Sequence, residues 1–473
     1  MKTLLLNPPS FEKFDGGAGS RWPARREITS FWYPVWLAYP AGLIPESRLL
    51  DAPPHGVTPR ETIDIARDYE FLALFTSTPG FANDVRLAES IKDVHPSIKI
   101  AFLGPHVSVL AEESLKASSA IDFVVRREFD HALAEYASGK ALQEILGVSY
   151  RSNGSIVHNE DRPLLTDLDS LPFVVDVYKR DLDITRYNVP FLKHPFVAFY
   201  TSRGCPALCT FCLWPQTFGG HRWRTRGSDN VAAEVRRARE LFPEVREIFF
   251  DDDTFAWGKA RVLELCGKLK PLQFTWSCTC RVHADRDMLK AMKEAGCRLL
   301  IVGFESGDPT ILKNIKKGAT VEQAHAFMKH CKELGLAVHG DFIIGLPGET
   351  HETIRRTMEF AERLDCETIQ VSIAHPYPGT EFDHYARSHG YLTEDEMADE
   401  LGHQMPNLRY PGLSRREIVE AVEYFYSRYY FRPRIVLRIV QRAIFDGAER
   451  RRLMREAREY FQLRARRLRF SRS

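Results

Sequence analysis

Three cysteines in one short segment could hold a metal centre. Cys205, Cys209 and Cys212 have the spacing C-x3-C-x2-C and follow a predicted strand at residues 197–201. Three thiolates on one tight loop can hold three corners of an iron–sulfur cubane and leave the fourth iron open to a substrate or cofactor. A structural zinc site would need four ligands, and His221 is the only further candidate nearby. Ordinary buried cysteine explains one such residue better than three.

Alternating strands and helices from residue 195 to 392 predict the scaffold of this loop. Apolar runs predict six strands, at residues 197–201, 247–251, 274–280, 299–303, 338–344 and 369–374. Periodic apolar faces predict helices between them, for example at 231–241 and 260–269. Six βα units predict a partial (βα)6 TIM barrel that is reactive at the carboxyl ends of its strands.

Polar residues and a glycine end four of these strands, at the edge where a barrel of this kind is reactive. They are Asp251 and Asp252 after the second strand, Arg281 after the third, Glu305 after the fourth and Gly345 after the fifth. Arg281 could form a bidentate pair with a carboxylate, and a surface salt bridge is the alternative.

His375 and Tyr377 follow the sixth strand, where a substrate could reach them. We predict them as catalytic candidates, with a histidine hydrogen-bonded inside a turn as the alternative. Cys278 and Cys280 lie on one face of the third strand by its period of two, and apolar packing explains them better than a second cluster.

The first 165 residues predict a separate, doubly wound Rossmann-like domain. Strands at 4–6, 71–75, 98–103 and 121–125 alternate with helices at 62–69 and 82–94. Such sheets bind ligands at the carboxyl ends of their strands. The candidates for contact with a ligand at these strand ends are Asn7, Pro8, Thr76, Ser77, Gly104, Pro105 and His106. Ordinary turn chemistry is the alternative reading of the same residues.

The remaining segments predict a linker at residues 166–194, within a loop-rich stretch from about 153 to 183, and a mostly helical, arginine-rich extension at 393–473. Residues 428–473 hold 15 arginines and four acids, a net charge of +11, so the rest of the chain carries −9. Such a tail could lie on an anionic membrane surface or dock on the acidic body. It accompanies no nucleic-acid-binding module, so we expect no nucleic-acid partner.

Length and composition limit the class of protein. The chain has 473 residues, 44% of them hydrophobic, which predicts two or three globular domains. The longest apolar stretch, 31–44, contains two prolines and is too short to span a bilayer. All nine cysteines follow residue 204, which favours a metal site over disulfides. With no signal peptide at its start, the chain is expected in the cytoplasm.

The cysteine loop resembles the signature of the radical SAM superfamily, including the aromatic Phe211 before the third cysteine. The resemblance implies a [4Fe–4S] cluster on the three cysteines and S-adenosylmethionine (SAM) chelated to the open iron. One-electron reduction by a flavodoxin- or ferredoxin-type partner would then release a 5′-deoxyadenosyl radical. It also implies that the Asp251-Asp252 segment contacts the methionine amino group, and that the segments of Glu305 and Gly345 resemble adenosine-contacting and turn motifs.

The N-terminal domain resembles the cobalamin-binding domain that precedes the barrel in one radical SAM subfamily. Its Asn7-Pro8-Pro9 and Gly104-Pro105-His106-Val107 turns match, which implies cobalamin as a cofactor, or a vestigial domain. The run Arg127-Glu128-Phe129-Asp130 matches less well, because a Gly-Glu-Gly-Glu type run is usual there. The chain lacks the D-x-H-x-x-G motif, so no histidine of that motif would bind cobalt.

The opening residues 7–21, with the aromatic segment at 31–38, resemble the hopanoid-biosynthesis radical SAM proteins of the cyclitol ether branch. This implies a hopanoid lipid substrate, bacteriohopanetetrol or a ribose-derived precursor, whose polyol side chain is rearranged to the cyclitol ether. The basic tail fits such a lipid substrate and a peripheral place on the inner membrane face. The alternative is a cobalamin-dependent radical SAM C-methyltransferase acting on a lipid or other small molecule. Methylthiotransferases carry three further N-terminal cysteines, which this chain lacks. The open iron and the cofactor motifs disfavour a non-catalytic carrier.

Overall fold

Two sheets organise the computed structural model of the chain, which describes residues 1–14, 30–393, 397–399, 402–445, 450, 453–454, 457–459 and 461. The first sheet has seven strands, here called the N-terminal unit together with its helices. These strands are β1 (Thr3–Asn7), β2 (Ser47–Asp51), β3 (Phe71–Phe75), β4 (Lys99–Leu103), β5 (Phe123–Val125), β6 (Val148–Ser152) and β7 (Ser155–His158). Their order is β2-β1-β3-β4-β5-β6-β7, parallel as far as β5 and antiparallel beyond it.

Helices cover both faces of this sheet, as a parallel sheet requires. They are α1 (Val35–Leu43), α2 (Ala52–His55), α3 (Pro59–Ala66), α4 (Phe81–Val94), α5 (Pro105–Val109), α6 (Ala111–Ala117) and α7 (Asp130–Ala137). A capping box between Thr58 and Glu61 starts α3. The four predicted strands and both predicted helices are confirmed to within a few residues, whereas β2, β6 and β7 were not predicted.

The second sheet has six parallel strands that neighbour one another in chain order. Its strands are β8 (Phe196–Phe199), β11 (Glu247–Phe250), β12 (Trp276–Cys280), β13 (Cys297–Glu305), β14 (Ala337–Ile344) and β15 (Thr368–Ile373), and a small hairpin of β9 (Ser202–Arg203) and β10 (Arg224–Thr225) follows β8. All six predicted strands are present. Its helices are α9 (Ser228–Leu241), α10 (Lys259–Leu269), α11 (Arg286–Glu294), α12 (Pro309–Asn314), α13 (Val321–Leu334), α14 (His351–Leu364) and α15 (Glu381–Ser388). This order fits the predicted open barrel.

One apolar interior joins the two sheets. Leu5 of β1 and Phe123 of β5 belong to the same buried cluster as Phe196 of β8 and Phe250 of β11. Leu4 and Leu6 face the opposite side of the first sheet and belong to a second cluster. The two sheets therefore pack through one face of the N-terminal unit.

The connection between the sheets is more regular than expected. Residues 153–183 were predicted to be loop-rich, but they contain β7 and the helix α8 (Val174–Asp181). Val174, Val175 and Tyr178 of α8 are buried. Apolar spacing over only eight residues was too weak a signal to predict this helix. The domain boundaries at 165, 195 and 393 remain predictions.

Side-chain hydroxyls bond the two edge strands of the six-stranded sheet. On β15, the hydroxyl of Tyr430 accepts from the amide of Ile369 (2.9 Å) and donates to its carbonyl (3.0 Å). Tyr426 bonds Val371 in the same way, and Gln404 bonds both backbone groups of Ile373. On β8, the hydroxyls of Tyr33 and Tyr178 donate to the carbonyls of Phe196 (2.7 Å) and Ala198 (2.9 Å).

The C-terminal extension is helical only from residue 415 among its described residues. Its helices are α16 (Arg415–Tyr430) and α17 (Pro433–Phe445), and the described residues between 397 and 413 form isolated bridges and turns instead. Asp365 pairs with Arg434 (3.1 Å) and Arg438 (3.0 Å) of α17. The first part of the basic tail thus docks on the acidic body, and most residues after 445 lie outside the described part. A lipid contact remains a prediction.

None of the helices among the described residues is long and apolar enough to cross a membrane.

Candidate functional site

The cluster loop, residues 204–212, begins directly after β9 and bends at a glycine. Gly204 has a φ of +83°, and a Cβ at this position would overlap the carbonyl oxygen of Arg222. Its amide donates to Oδ2 of Asp253 (3.2 Å), and the amide of Cys205 donates to the carbonyl of Gly220 (3.3 Å). Only glycine fits this turn, so the loop leaves the hairpin in one direction.

Two polar side chains hold the carbonyl groups of the cluster loop. The side-chain amide of Gln216 donates to the carbonyls of Cys209 (3.2 Å) and Cys212 (2.8 Å). Nδ1 of His221 lies 3.2 Å from the carbonyl oxygen of Cys205 and therefore donates to it. His221 is thus a support of the loop, and no sequence motif indicated Gln216.

The three thiols are suited to a cubane. Cys205 and Cys209 are buried, Cys212 is partly exposed, and none of the three forms a disulfide. Burial is the main cause that raises the pKa of Cys205. Among the described residues, no three Cys, His, Asp or Glu side chains are close enough to hold one metal ion. A cubane does not need such closeness, because each thiolate binds a different iron.

Asp252 supports the loop from beneath. It is fully buried, and its carboxylate accepts from the amides of Thr201 (2.6 Å) and Ser202 (3.0 Å) and from the Thr201 hydroxyl (2.5 Å). Burial raises its pKa, against the effect of these hydrogen bonds. The carboxylate of Asp252 is therefore occupied by the strand before the loop. Asp251 lies one residue closer to β11 and is partly exposed.

Arg281 lies beside the cluster loop, as expected for a residue at the end of β12. Its Nη1 is 3.8 Å from Sγ of Cys209, and its Nη2 donates to the carbonyl of Lys317. Its Nε is buried and has no hydrogen-bond partner among the described residues. A guanidinium with a free donor beside the thiols fits the carboxylate of SAM, although this role remains a prediction.

Glu305 ends β13 in a left-handed conformation, with a φ of +65°. Its carboxylate pairs with Nζ of Lys317 at 2.7 Å, and both side chains are less than 9% exposed. Lys317 also contacts Arg281 through its carbonyl group. The ends of β12 and β13 are therefore linked, and sequence reasoning did not find Lys317.

Gly345 ends β14, and Glu349 closes the turn after it. The amides of Gly345 (2.5 Å) and Leu346 (3.2 Å) donate to Oε2 of Glu349. Burial raises the pKa of Glu349 to about 8, and the two amides only partly offset this. The Tyr410 hydroxyl donates to the Gly345 carbonyl at 2.8 Å. The Gly345 turn is thus built from its own buried acid and from a residue of the C-terminal extension.

His375 is buried at the end of β15, and its Nδ1 donates to Oδ1 of Asn407 (3.2 Å). Burial lowers its pKa to about 3, so the ring is neutral near pH 7. The Tyr377 ring lies 5.9 Å from the His375 ring. A catalytic role for either residue remains a prediction, but a neutral imidazole limits His375 to hydrogen bonding.

The predicted cobalamin edge has a tight glycine turn at its centre. Gly104 has a φ of +115°, and a Cβ there would overlap the Thr76 carbonyl oxygen. The Thr76 hydroxyl donates to Asp84 at 2.7 Å, and Nδ1 of His106 is 3.1 Å from Oγ1 of Thr78. Burial lowers the pKa of His106 to about 4. The loops after β3 and β4 therefore meet, with Ser77 and Pro105 beside them.

Asn7 ends β1 and contacts an acid of the neighbouring strand. Its side-chain amide donates to Oδ1 of Asp51, and the Tyr187 hydroxyl donates to Oδ2, both at 2.7 Å. Burial raises the pKa of Asp51 to about 7 despite both bonds. Asn7 is thus engaged in holding the β1–β2 edge, and a direct contact of Asn7 or Pro8 with cobalamin remains a prediction.

Three loops converge where the two sheets meet. Helix α5, which follows Gly104, packs on the π-helical turn Pro215–Gly219 that follows the cysteines. A Cβ on Gly379 would lie 2.6 Å from Cγ2 of Val109 in α5 and 3.2 Å from Cγ2 of Thr217. The predicted cobalamin loop, the cluster segment and the loop of His375 therefore meet at one place.

Two family descriptions match this chain. The B12 binding domain matches residues 21–137, and the radical SAM superfamily matches residues 199–361. An uncharacterized methyltransferase of Pyrococcus horikoshii is 30% identical over 470 residues, which cover 94% of this chain and 97% of that protein. The chain belongs to the cobalamin-binding radical SAM enzymes. Its cofactors are a [4Fe–4S] cluster, SAM and cobalamin.

Other relatives agree in their domain arrangement. The cytidylyl-2-hydroxyethylphosphonate methyltransferase of Streptomyces wedmorensis is 26% identical, over 90% of this chain and 89% of that protein. The solved structure of the radical SAM methyltransferase TsrM from Kitasatospora setae, with cobalamin and a [4Fe–4S] cluster, has a TM-score of 0.66 at 15% identity. It covers 91% of this chain and 89% of that chain, and the likeness is one of fold. The narrower hopanoid resemblance finds no support among these relatives.

Proposed function

We propose that this enzyme is a cobalamin-dependent methyltransferase that acts on a small molecule. The observation that carries the proposal is the convergence of α5, the Pro215–Gly219 turn and Gly379 at one place. A methyl-transfer enzyme with these cofactors needs the cobalamin edge, the cluster loop and a substrate loop within reach of one another. The names of the relatives from Pyrococcus horikoshii and Streptomyces wedmorensis support the same reaction class.

The overall reaction we propose replaces a hydrogen of the substrate by the methyl group of SAM. One SAM gives up its methyl group and becomes S-adenosylhomocysteine, so its sulfur–methyl bond breaks and a carbon–methyl bond forms on the substrate. A second SAM is cleaved to methionine and 5′-deoxyadenosine, which carries away the substrate hydrogen. The bound cofactors supply one-electron chemistry and a methyl carrier. This balance consumes two electrons for each methyl group transferred, which the flavodoxin- or ferredoxin-type reductant would supply.

The residues of the chain would bind the cofactors and orient the substrate. Cys205, Cys209 and Cys212 would hold the cluster, and Arg281 would offer its free Nε to the carboxylate of SAM. Neutral His375 would orient a polar group of the substrate, because its pKa of about 3 keeps it from accepting a proton near pH 7. Its support by Asn407 would fix the ring.

The hopanoid rearrangement expected from residues 7–21 is the competing reaction. Residues 15–21 of that segment lie outside the described part of the chain. The docking of α17 on Asp365 also reduces the number of tail arginines free to meet a lipid. We therefore favour methyl transfer and keep hopanoids among the substrates to be tested.

The test uses anaerobically reconstituted enzyme, a chemical reductant and SAM with a deuterated methyl group. Small-molecule and hopanoid lipid extracts are incubated with it and compared by mass spectrometry. We expect a compound that gains one deuterated methyl group, together with S-adenosylhomocysteine. Cys209→Ser should abolish the product, whereas Cys266→Ser, which changes a buried free cysteine on α10, should retain it. A hopanoid converted without gain of label, with deoxyadenosine as coproduct, would contradict the proposal.

A further inference from the structure

Two acids of the N-terminal unit reach the arginines that flank the cluster loop. Glu128 lies between β5 and α7, and Asp130 is the first residue of α7; both belong to the run that departs from the usual Gly-Glu-Gly-Glu pattern. Arg203 of β9 and Arg224 of β10 lie opposite each other in the strand register of the hairpin. Cys205 is only two residues after Arg203. The hairpin that starts the loop is therefore held from the other sheet.

Both arginines form two-point contacts with the acids. Nη1 and Nη2 of Arg203 donate to Asp130 at 2.7 and 2.9 Å. Nη1 and Nη2 of Arg224 donate to Glu128 at 2.9 and 2.8 Å. All four side chains are at most 5% exposed, and their charges cancel. Paired planar contacts of this kind fix orientation as well as distance.

Arg224 extends the network to the turn that packs on the loop. It donates to the carbonyls of Leu165 (2.6 Å) and Gly219 (2.8 Å). The Gly219 oxygen lies 3.1 Å from the position that a Cβ of Gly204 would take. The guanidinium of Arg224 therefore bonds both Glu128 of the N-terminal unit and the carbonyl of Gly219, which packs beside the Gly204 turn before Cys205.

Trp36 of α1 contacts one residue on each side of the cluster loop. The guanidinium carbon of Arg203 lies 4.2 Å from the Trp36 ring centre, and Tyr39 flanks it at 4.7 Å. Trp214, two residues after Cys212, stacks on Trp36 at 5.8 Å with an interplanar angle of 7°. The residues before and after the three cysteines thus rest on one helix of the N-terminal unit.

We propose that Trp36, Glu128 and Asp130 are positioning residues for the iron–sulfur cluster. They hold the two ends of the cluster loop, so the three cysteines keep the geometry of a cubane only while the N-terminal unit is docked. The cobalamin-binding part of the chain thereby serves the cluster as well as its own cofactor. Residues that orient metal ligands in this way commonly matter nearly as much as the ligands.

The first test measures iron release from the reconstituted enzyme to an iron chelator under anaerobic conditions. We expect Asp130→Asn to release iron roughly 10-fold faster than the unmodified enzyme. Its reduced cluster should also show an altered EPR signal on addition of SAM. Glu112→Gln is the matched control, because it breaks an exposed acid–base pair with Lys116 in the same unit. This control should match the unmodified enzyme in both measurements.

A double variant separates positioning from stability. Asp130→Asn leaves the buried charge of Arg203 without its carboxylate partner and should lower thermal stability. The double variant Asp130→Asn, Arg203→Met removes both charges and should regain thermal stability. If the network positions the loop, the double variant melts near the unmodified enzyme but still releases iron faster. Iron release at the unmodified rate in the double variant, or in a folded Asp130→Asn variant, would overturn the proposal. Neither readout needs a substrate, so the outcome is independent of the methyl-transfer proposal.

Discussion

Replacement of Glu349 by glutamine should make the enzyme more stable at alkaline pH. The side chain is buried, and its pKa is raised from 4.5 to about 8. The folded protein therefore keeps this proton over a pH range in which the unfolded chain has lost it. Stability falls as pH rises from about 4.5 to about 8 and then levels off. Glutamine keeps an acceptor for the amides of Gly345 and Leu346 but cannot ionise.

The size of the effect follows from the two pKa values. Between pH 6 and pH 9, ionisation of this one group costs the folded enzyme about 3 kcal/mol relative to a neutral side chain. For a domain of about 200 residues, such as the one that contains Glu349, a change of this size in the free energy of unfolding shifts the thermal midpoint by roughly 5 to 10 °C. The difference between Glu349→Gln and the unmodified enzyme should therefore widen in favour of the variant by that amount across this pH range.

The assay is thermal unfolding of the reconstituted enzyme at several pH values from 6 to 9. Glu352→Gln is the matched control, three residues away in α14. Glu352 is exposed, and hydrogen bonding by Arg355 lowers its pKa, so it is ionised throughout this range in both states. The control difference should not change with pH. A Glu349→Gln difference that is equally constant would refute the argument that burial keeps this acid protonated.

Three further outcomes test other parts of the structure. Gly104→Ala should destabilise the N-terminal unit by about 2 kcal/mol or more, because of its positive φ and the overlap with Thr76, and should weaken cobalamin binding in an absorbance titration; normal binding would contradict the tight turn. His375→Gln should leave the shape of the pH–rate profile unchanged between pH 5 and 8, since the pKa of His375 is about 3; loss of an inflection near neutrality would count against a neutral ring. Tyr430→Phe should lower the thermal midpoint, because Ile369 loses both bonds to the hydroxyl, at a cost of about 1 to 3 kcal/mol; an unchanged midpoint would argue against this role.

The sequence was sufficient for all six strands of the second sheet, for four of the seven strands of the first sheet and for the cluster loop. Buried parallel strands are continuous apolar runs, and the run at 71–75 coincides with β3. The cysteines are recognisable because their chemistry depends on spacing along one loop. Strand β2 (Ser47–Asp51) was missed because it is short and begins with polar residues. The apolar stretch at 31–44 proved to contain α1, although Pro40 lies inside that helix.

The supports of the site could not be predicted from the sequence. Gln216 bonds the carbonyls of Cys209 and Cys212, only seven and four residues away, but no motif marks it. Lys317 and Glu128 act through partners that are distant along the chain, with 36 residues between Arg281 and Lys317 and 96 between Glu128 and Arg224. Local spacing carries no information about such pairs. Asp252 shows the same limit in another form, because its position after a strand could not predict that its carboxylate would bond Thr201 and Ser202. The cofactor contact predicted for Asp252 stays a prediction.

The tyrosine hydroxyls along β8 and β15 explain how this sheet can end without closing. An exposed edge strand normally invites a strand from another molecule, which leads to aggregation or swapping of segments. On β15, hydroxyl and amide groups already occupy the backbone at residues 369, 371 and 373. An incoming strand would have to displace Tyr426, Tyr430 and Gln404 one after another. The six-stranded sheet can therefore stay open at β15, because the backbone of this edge is already bonded and is not available to a strand of another polypeptide.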